Sequence, residues 1–266
     1  MKLHAFVISW HGRHRAALRI VQNLAGTVEH LTVLHSSADG TGYAQATPDG
    51  AEWLDVDNAW YYGRKFEHCL HLHRGEVMLQ IQADAEHHDW QAVVRRCRET
   101  FAAHAELGVW APEVDFTPFP LQETRVRSLP GGHWHQVVQT DGIVWALAPR
   151  VLARLRQLDY ACNNLGWGMD WAAIAHAHAH GLLVLRDTAL TITHPRGSGY
   201  DPKVATAQKA AFLAQLTAQE QAQLVLLQNH LRGQRSLPTR VLLEQLLGKL
   251  REAWARNLRR MAGRRR

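Results

Sequence analysis

Short apolar runs alternate with helix-period segments through the first two thirds of the chain, and this alternation is what most limits the fold. Residues 4–9, 30–34 and 76–82 are compact β-type runs bounded by turn residues. Between them, 15–24 carries Ala17, Ile20, Val21 and Leu24 at helical spacing, and 60–72 and 90–105 suit helices as well. Helical segments at 149–158 and 170–180 and strands at 182–186 and 190–193 continue the pattern. Strand and helix in alternation predict an α/β domain built on a parallel or mixed central sheet flanked by helices. Composition agrees, since 46% hydrophobic and 20% charged residues can fill a core.

The pattern changes after Gly199. Residues 203–231 are rich in Ala, Gln and Leu with helical periodicity, and Thr217 with Glu220 forms a capping-box pattern. A break at 233–238 precedes a second helix to about residue 261. The expected organisation is therefore one domain over 1–201 and a two-helix appendage over 202–266. Net charge is +6, but residues 249–266 alone carry +7, so the remaining 248 residues sum to −1. Basic character confined to a tail does not predict a nucleic-acid-binding face, and no nucleic-acid partner is expected. Leu243, Leu246, Leu247, Leu250 and Trp254 form an apolar stripe beside those charges. Such a helix either lies on an anionic membrane surface or packs on the domain or a partner.

No apolar run reaches the length of about 18 residues that a membrane span needs. The apolar run 1–10 is followed, not preceded, by its charges, unlike a secretory leader. Cys69, Cys97 and Cys162 have neither disulfide-framework nor zinc spacing. A reducing cytoplasm is the expected compartment, and the membrane alternative for the tail would place the protein peripherally on the inner face of the membrane.

In open α/β sheets ligands bind beyond the carboxyl ends of the strands. Asp84 and Glu86 stand at such an end, two residues apart, where two carboxylates can address one Mg²⁺ or Mn²⁺ ion. Acidic pairs there also serve as solvated turn residues or caps, and Asp89, just before Trp90, reads as a helix N-cap. Further on, Gly166-Trp167-Gly168-Met169-Asp170 opens a helix. His194 then follows a strand, with Arg196 and Tyr200 in the loop beyond it. An imidazole there can complete a site whose other ligands are carboxylate and phosphate oxygens, and Arg196 can grip a phosphate. His176, His178 and His180 read as structural.

The order of these motifs resembles the GT-A fold glycosyltransferases, most of all the family-2-like inverting enzymes. The matching positions are residues 6–9, Asp84-Ala85-Glu86, Gly142 with Ala148-Pro149-Arg150, residues 166–170, and His194, and together they cover about residues 3–201. The resemblance implies a GT-A-like, Rossmann-type central mixed sheet. It implies transfer of a sugar from a nucleotide-sugar donor, a UDP-sugar among them, to a carbohydrate or lipid-linked acceptor. Asp84, Glu86 and His194 would hold Mn²⁺ or Mg²⁺. Asp170 would be the catalytic base of an inverting transfer. His11, Arg13, Asp39, Lys65, Arg196 and Tyr200 fall on the nucleotide and diphosphate side, where solvated surface charge is the competing reading of the basic ones. Trp167, Trp171 and Gly142 fall on the sugar and acceptor side. Glu86 stands where such enzymes have a second Asp, and Met169 where they often have another acid. These departures support an alternative, a degenerate non-catalytic domain of the same fold acting in binding or at a membrane.

Overall fold

The computed structural model describes residues 1–38, 50–195 and 200–233. Its centre is a nine-stranded mixed sheet. In chain order the strands are β1 (Leu3–Trp10), β2 (His30–Ser36), β3 (Glu52–Asp55), β4 (Val77–Gln82), β5 (Leu107–Val114), β6 (Arg125–Ser128), β7 (Trp134–Val137), β8 (Val144–Leu147) and β9 (Leu183–Ile192). Their order across the sheet is β3-β2-β1-β4-β8-β5-β9-β7-β6. The first four are mutually parallel, β8 is antiparallel to both β4 and β5, and β9 runs parallel to β5. The α/β class with a mixed central sheet is thus as the alternation predicts.

Side chains of β1 alternate between two cores, as the two-residue strand period requires. Leu3, Ala5 and Val7 pack with Ala17, Ile20, Val21 and Leu24 of α1 (His14–Leu24) and with Val93, Val94 and Cys97 of α3 (Trp90–Ala103). Phe6 and Ile8 face the other way, towards Phe66 and Leu70 of α2 (Tyr62–Leu72). Helix cover on both faces explains why the central strands read as continuous apolar runs rather than alternating ones. Asp89 caps α3, its carboxylate accepting from the Ala92 N–H at 2.9 Å.

The second core also takes up α5 (Pro149–Leu155), α6 (Met169–Ala179) and α7 (Pro202–Leu213), a four-residue helix α4 (Leu121–Thr124) lying near its edge. Past α7 the chain breaks at 214–217 and resumes as helix over 218–233. The Thr217–Glu220 capping box forms at that restart: Thr217 N–H donates to Glu220 Oε2 at 2.8 Å and Glu220 N–H to the Thr217 hydroxyl at 3.3 Å. Phe212, Leu213, Leu216, Leu224, Leu227 and Leu231 are buried in the same core as Tyr160 and Trp171. Glu220, itself buried, takes bonds from Arg154 of α5 and from His176 of α6. Burial raises the Glu220 pKa, but Arg154, the Thr217 N–H and His176 overcome it and hold the carboxyl at about 2. His178 donates to the Val137 carbonyl, so the alternating histidines serve packing and hydrogen bonding. The expected helix beyond residue 238, with the basic tail, lies outside the described residues. Among the described residues no helix is long and apolar enough to cross a membrane.

Candidate functional site

A cleft of about 690 Å³ opens at the carboxyl ends of β1, β2 and β4 and extends to the start of α6 and the end of β9. A volume of this size suits a small organic ligand. Asp84, Asp170 and His194, remote in sequence, all line it.

Asp84 sits in the turn that ends β4, and Ala85 N–H closes that turn on the Gln82 carbonyl at 3.0 Å. Beyond the turn, Glu86 and Thr193 exchange main-chain bonds at 2.8 and 3.0 Å, an isolated antiparallel bridge. The bridge carries His194 to Asp84, with Nε2 at 3.4 Å from Oδ1. His194 N–H is fixed by Asp115 Oδ1 at 2.9 Å. Asp84 Oδ1 is buried and has no hydrogen-bond partner, an arrangement that costs free energy unless a ligand satisfies it. Glu86 does not join Asp84. Its side chain is exposed and lines a separate depression of about 550 Å³ between α1 and the start of α3. Two acids at i and i+2 share a face only while the strand continues, and here the chain turns between them.

Among the described residues, no three His, Cys, Asp or Glu side chains form a ready-made cation site. The unpartnered Asp84 oxygen beside His194 nonetheless fits a divalent cation that takes its other ligands from water and from a bound diphosphate.

Asp170 lies in the first turn of α6. The Gly168 backbone, at φ 90°, makes the turn into that helix, in a left-handed region that glycine enters without steric cost. Gly63, at the start of α2, is required for a different reason. A Cβ there would stand 1.9 Å from the Asn163 carbonyl oxygen, so the close approach it permits is to the 163–166 loop. The side-chain amide of Gln139 donates to Asp170 Oδ2. Burial pushes the Asp170 carboxyl up to about 6. The Trp171 N–H and Lys209 pull it down, and Asp141 pushes it up. A carboxylate so tuned can accept a proton near neutral pH.

Lys65 is buried in the cleft floor at the other end. Its ammonium donates to the Ser9 carbonyl at 2.8 Å and the Ser36 hydroxyl at 2.7 Å. Burial lowers its pKa to about 8. His11 is exposed at the rim, whereas Arg13 lies off the cleft, at the N-cap of α1. Trp167 donates to the Tyr200 hydroxyl at 2.7 Å, and both line the wall. Trp171 lies under the Lys209 ammonium, 5.4 Å from its ring centre. The Gly142 carbonyl accepts from the Tyr62 hydroxyl at 2.8 Å. Asp39 and Arg196 lie outside the described residues.

Two residues of the site, one behind the cleft wall and one in it, escape sequence reasoning. Gln139 is wholly buried, and its carbonyl is held by buried Arg186 at 3.1 Å. Asp141 is 9% exposed and lines the cleft. The only signal for it is an acid directly before Gly142, the glycine that the family resemblance marks.

No protein-family model matches the sequence, and no curated protein matches it. Solved structures do match in fold. GalNAc-T7 with UDP, GalNAc and Mn²⁺ superposes with a TM-score of 0.57 at 12% identity, over 80% of this chain and 47% of that one. The present chain thus spans about half the length of GalNAc-T7. Residues 1–349 of S. aureus TarS with UDP-GlcNAc give 0.58 at 11% identity, over 86% of this chain and 72% of that one. The mannosyltransferase PcManGT from Pyrobaculum calidifontis with GDP-Man and Mn²⁺ gives 0.54 at 14% identity, over 92% and 79%. The chain has the fold of the GT-A-type glycosyltransferases.

Proposed function

We propose that the protein is a nucleotide-sugar-dependent glycosyltransferase, acting on a carbohydrate or lipid-linked acceptor with inversion at the anomeric carbon. The observation that carries this reading is the meeting, in one cleft, of the Asp84–His194 pair with a base-tuned Asp170. That convergence favours a catalyst over a non-catalytic relative of the fold. The three solved complexes, each with nucleotide or nucleotide-sugar, support it at the level of ligand class.

In the proposed reaction Asp170 takes the proton of an acceptor hydroxyl as that oxygen attacks the anomeric carbon. The bond from that carbon to the diphosphate oxygen breaks, and the electron pair leaves with the nucleoside diphosphate. A single displacement inverts the anomeric centre. Asp84 and His194 would hold a divalent cation, Mn²⁺ or Mg²⁺, which supplies positive charge where the leaving diphosphate becomes more negative. Lys65 adds a fixed positive charge at the nucleotide end. Gln139 holds one oxygen of Asp170 and so orients the base. Tyr200 closes the wall beside the donor, and Trp167, Trp171 and Gly142 border the sugar and acceptor. The basic segment 249–266 would bring the enzyme to an anionic membrane surface on the cytoplasmic side.

The test is a panel of UDP- and GDP-sugars with Mn²⁺, read as nucleoside diphosphate release. At least one donor should turn over, and both Asp170→Asn and EDTA should stop it. Absence of turnover and of nucleotide binding across the panel would reject the reading.

A further inference from the structure

Two acids that line the cleft each carry a buried carboxylate oxygen without a hydrogen-bond partner: Asp84 Oδ1 and Asp141 Oδ2. The first faces His194. The second has no role in the chemistry above.

Asp141 is backed by Thr117 and Arg186, both close enough to lower its pKa against the rise that burial causes. The Thr117 hydroxyl oxygen itself accepts the Phe119 N–H at 3.0 Å. Arg186 lies within electrostatic reach, but its guanidinium bonds the Phe119 carbonyl at 2.7 Å and the Gln139 carbonyl at 3.1 Å, and it pairs with Glu113 at 3.6 Å. Asp141 Oδ2 is left idle in the cleft wall. An idle buried acceptor costs on the order of 1–3 kcal/mol, and a ligand that donates a hydrogen bond removes that cost.

The position limits what the ligand is. Asp141 lies within electrostatic reach of both His194 and Asp170, and all three line the same cleft. It belongs to no three-ligand cation group among the described residues. A carboxylate can only accept, so its partner must carry O–H or N–H. In the proposed transfer, the group lying between the diphosphate end and the base is the transferred sugar, which is rich in hydroxyls.

We infer that Asp141 forms a subsite for the transferred sugar, its Oδ2 accepting from one ring hydroxyl and thereby selecting the donor. This rests on the glycosyltransferase reading. A site built to bond a hydroxyl rejects the analogue that lacks it far more strongly than an apolar pocket rejects a change of size.

The experiment starts from whichever of UDP-glucose, UDP-N-acetylglucosamine and GDP-mannose the wild-type chain turns over fastest with Mn²⁺, and adds that donor's monodeoxy analogues. Asp141→Ala and the isosteric Asp141→Asn are compared with wild type, with melting curves to confirm folding. In the wild type, loss of one particular hydroxyl should lower kcat/KM about tenfold to a hundredfold. In Asp141→Ala that penalty should collapse to about twofold, while calorimetric affinity for the free nucleoside diphosphate stays within about twofold. If Asp141→Ala does not fold, Asp141→Asn carries the comparison as a reduced penalty, since its amide oxygen still accepts but without the charge. Equal deoxy penalties in variant and wild type would overturn the inference. So would an equal loss of affinity for the bare diphosphate, which would place Asp141 with the cation. A wild-type chain that neither binds a diphosphate nor turns over a donor fails earlier, at the glycosyltransferase reading, and takes the subsite with it.

Discussion

The two ends of the cleft carry opposite charge. At the end built by β1, β2 and α2, the buried ion is Lys65, hydrogen-bonded to the neutral Ser9 carbonyl and Ser36 hydroxyl. At the end built by β4, α6 and the segment before β8, three carboxylates face the same space: Asp84, Asp141 and Asp170. A diphosphate donor is drawn to the first end and repelled by the second unless a divalent cation intervenes. Under the proposed reading the acidic end alone calls for the cation, so the two ends should fail in different ways when altered.

The most severe break is Asp170→Asn. Transfer should fall about 10³-fold or more, with donor binding retained in calorimetry. Because burial holds the wild-type carboxyl near 6, transfer should rise with pH and level off above about that value. The sign for stability runs the other way. A raised carboxyl pKa is a folding cost that is absent below the unfolded value and complete above the folded one. Asp170→Asn should therefore melt at or above the wild-type temperature at pH 7, and a large drop in Tm would remove the assignment of Asp170 as a strained base.

Next in size is Asp84→Ala. Turnover should fall about a hundredfold and lose its response to Mn²⁺, as seen in metal titrations. Full wild-type activity in EDTA would erase the difference between the two ends.

Lys65→Met, at the other end, should weaken nucleoside diphosphate binding by about tenfold while the dependence on Mn²⁺ persists. With the Lys65 pKa near 8, wild-type nucleotide affinity should decline as pH rises through that value. Its lowered pKa is a cost present below pH 8 and gone above the unfolded value, so the variant should be no less stable than wild type at pH 7.

Gln139→Leu sharpens the acidic end. Losing the amide donor should push the apparent pKa of the base further up, lowering kcat several-fold at pH 6 and little at pH 8. A uniform loss at all pH values would reduce Gln139 to packing. The smallest expected effect is Glu86→Ala, less than about twofold in turnover, since its side chain faces the other depression.

Much of this arrangement is legible in the chain. Strand and helix periods identify β1, α1, β4 and α3, and local hydrogen-bond chemistry identifies the Asp89 cap and the capping box that restarts the helix at 217. The spacing between Asp84, Asp170 and His194 carries no geometry by itself, yet their order along an α/β chain suggests a shared cleft, and the fold places them in one. Asp141 and Gln139 leave no such trace. Their burial is decided by Thr117 and Arg186, dozens of residues away in sequence, and no local period reports that. Glu86 is misleading because an i, i+2 pair implies a shared face only if the strand runs on, and a turn intervenes at Ala83–Asp84. The helical reading of 203–231 misses the break at 214–217 because Ala, Gln and Leu favour helix on either side of it.

The link between Glu86 and Thr193 consists of peptide groups alone. Almost any residue at 86 can keep it, proline excepted, for want of an N–H. The spacing of Asp84 and His194 is thereby insulated from drift in the letters around them.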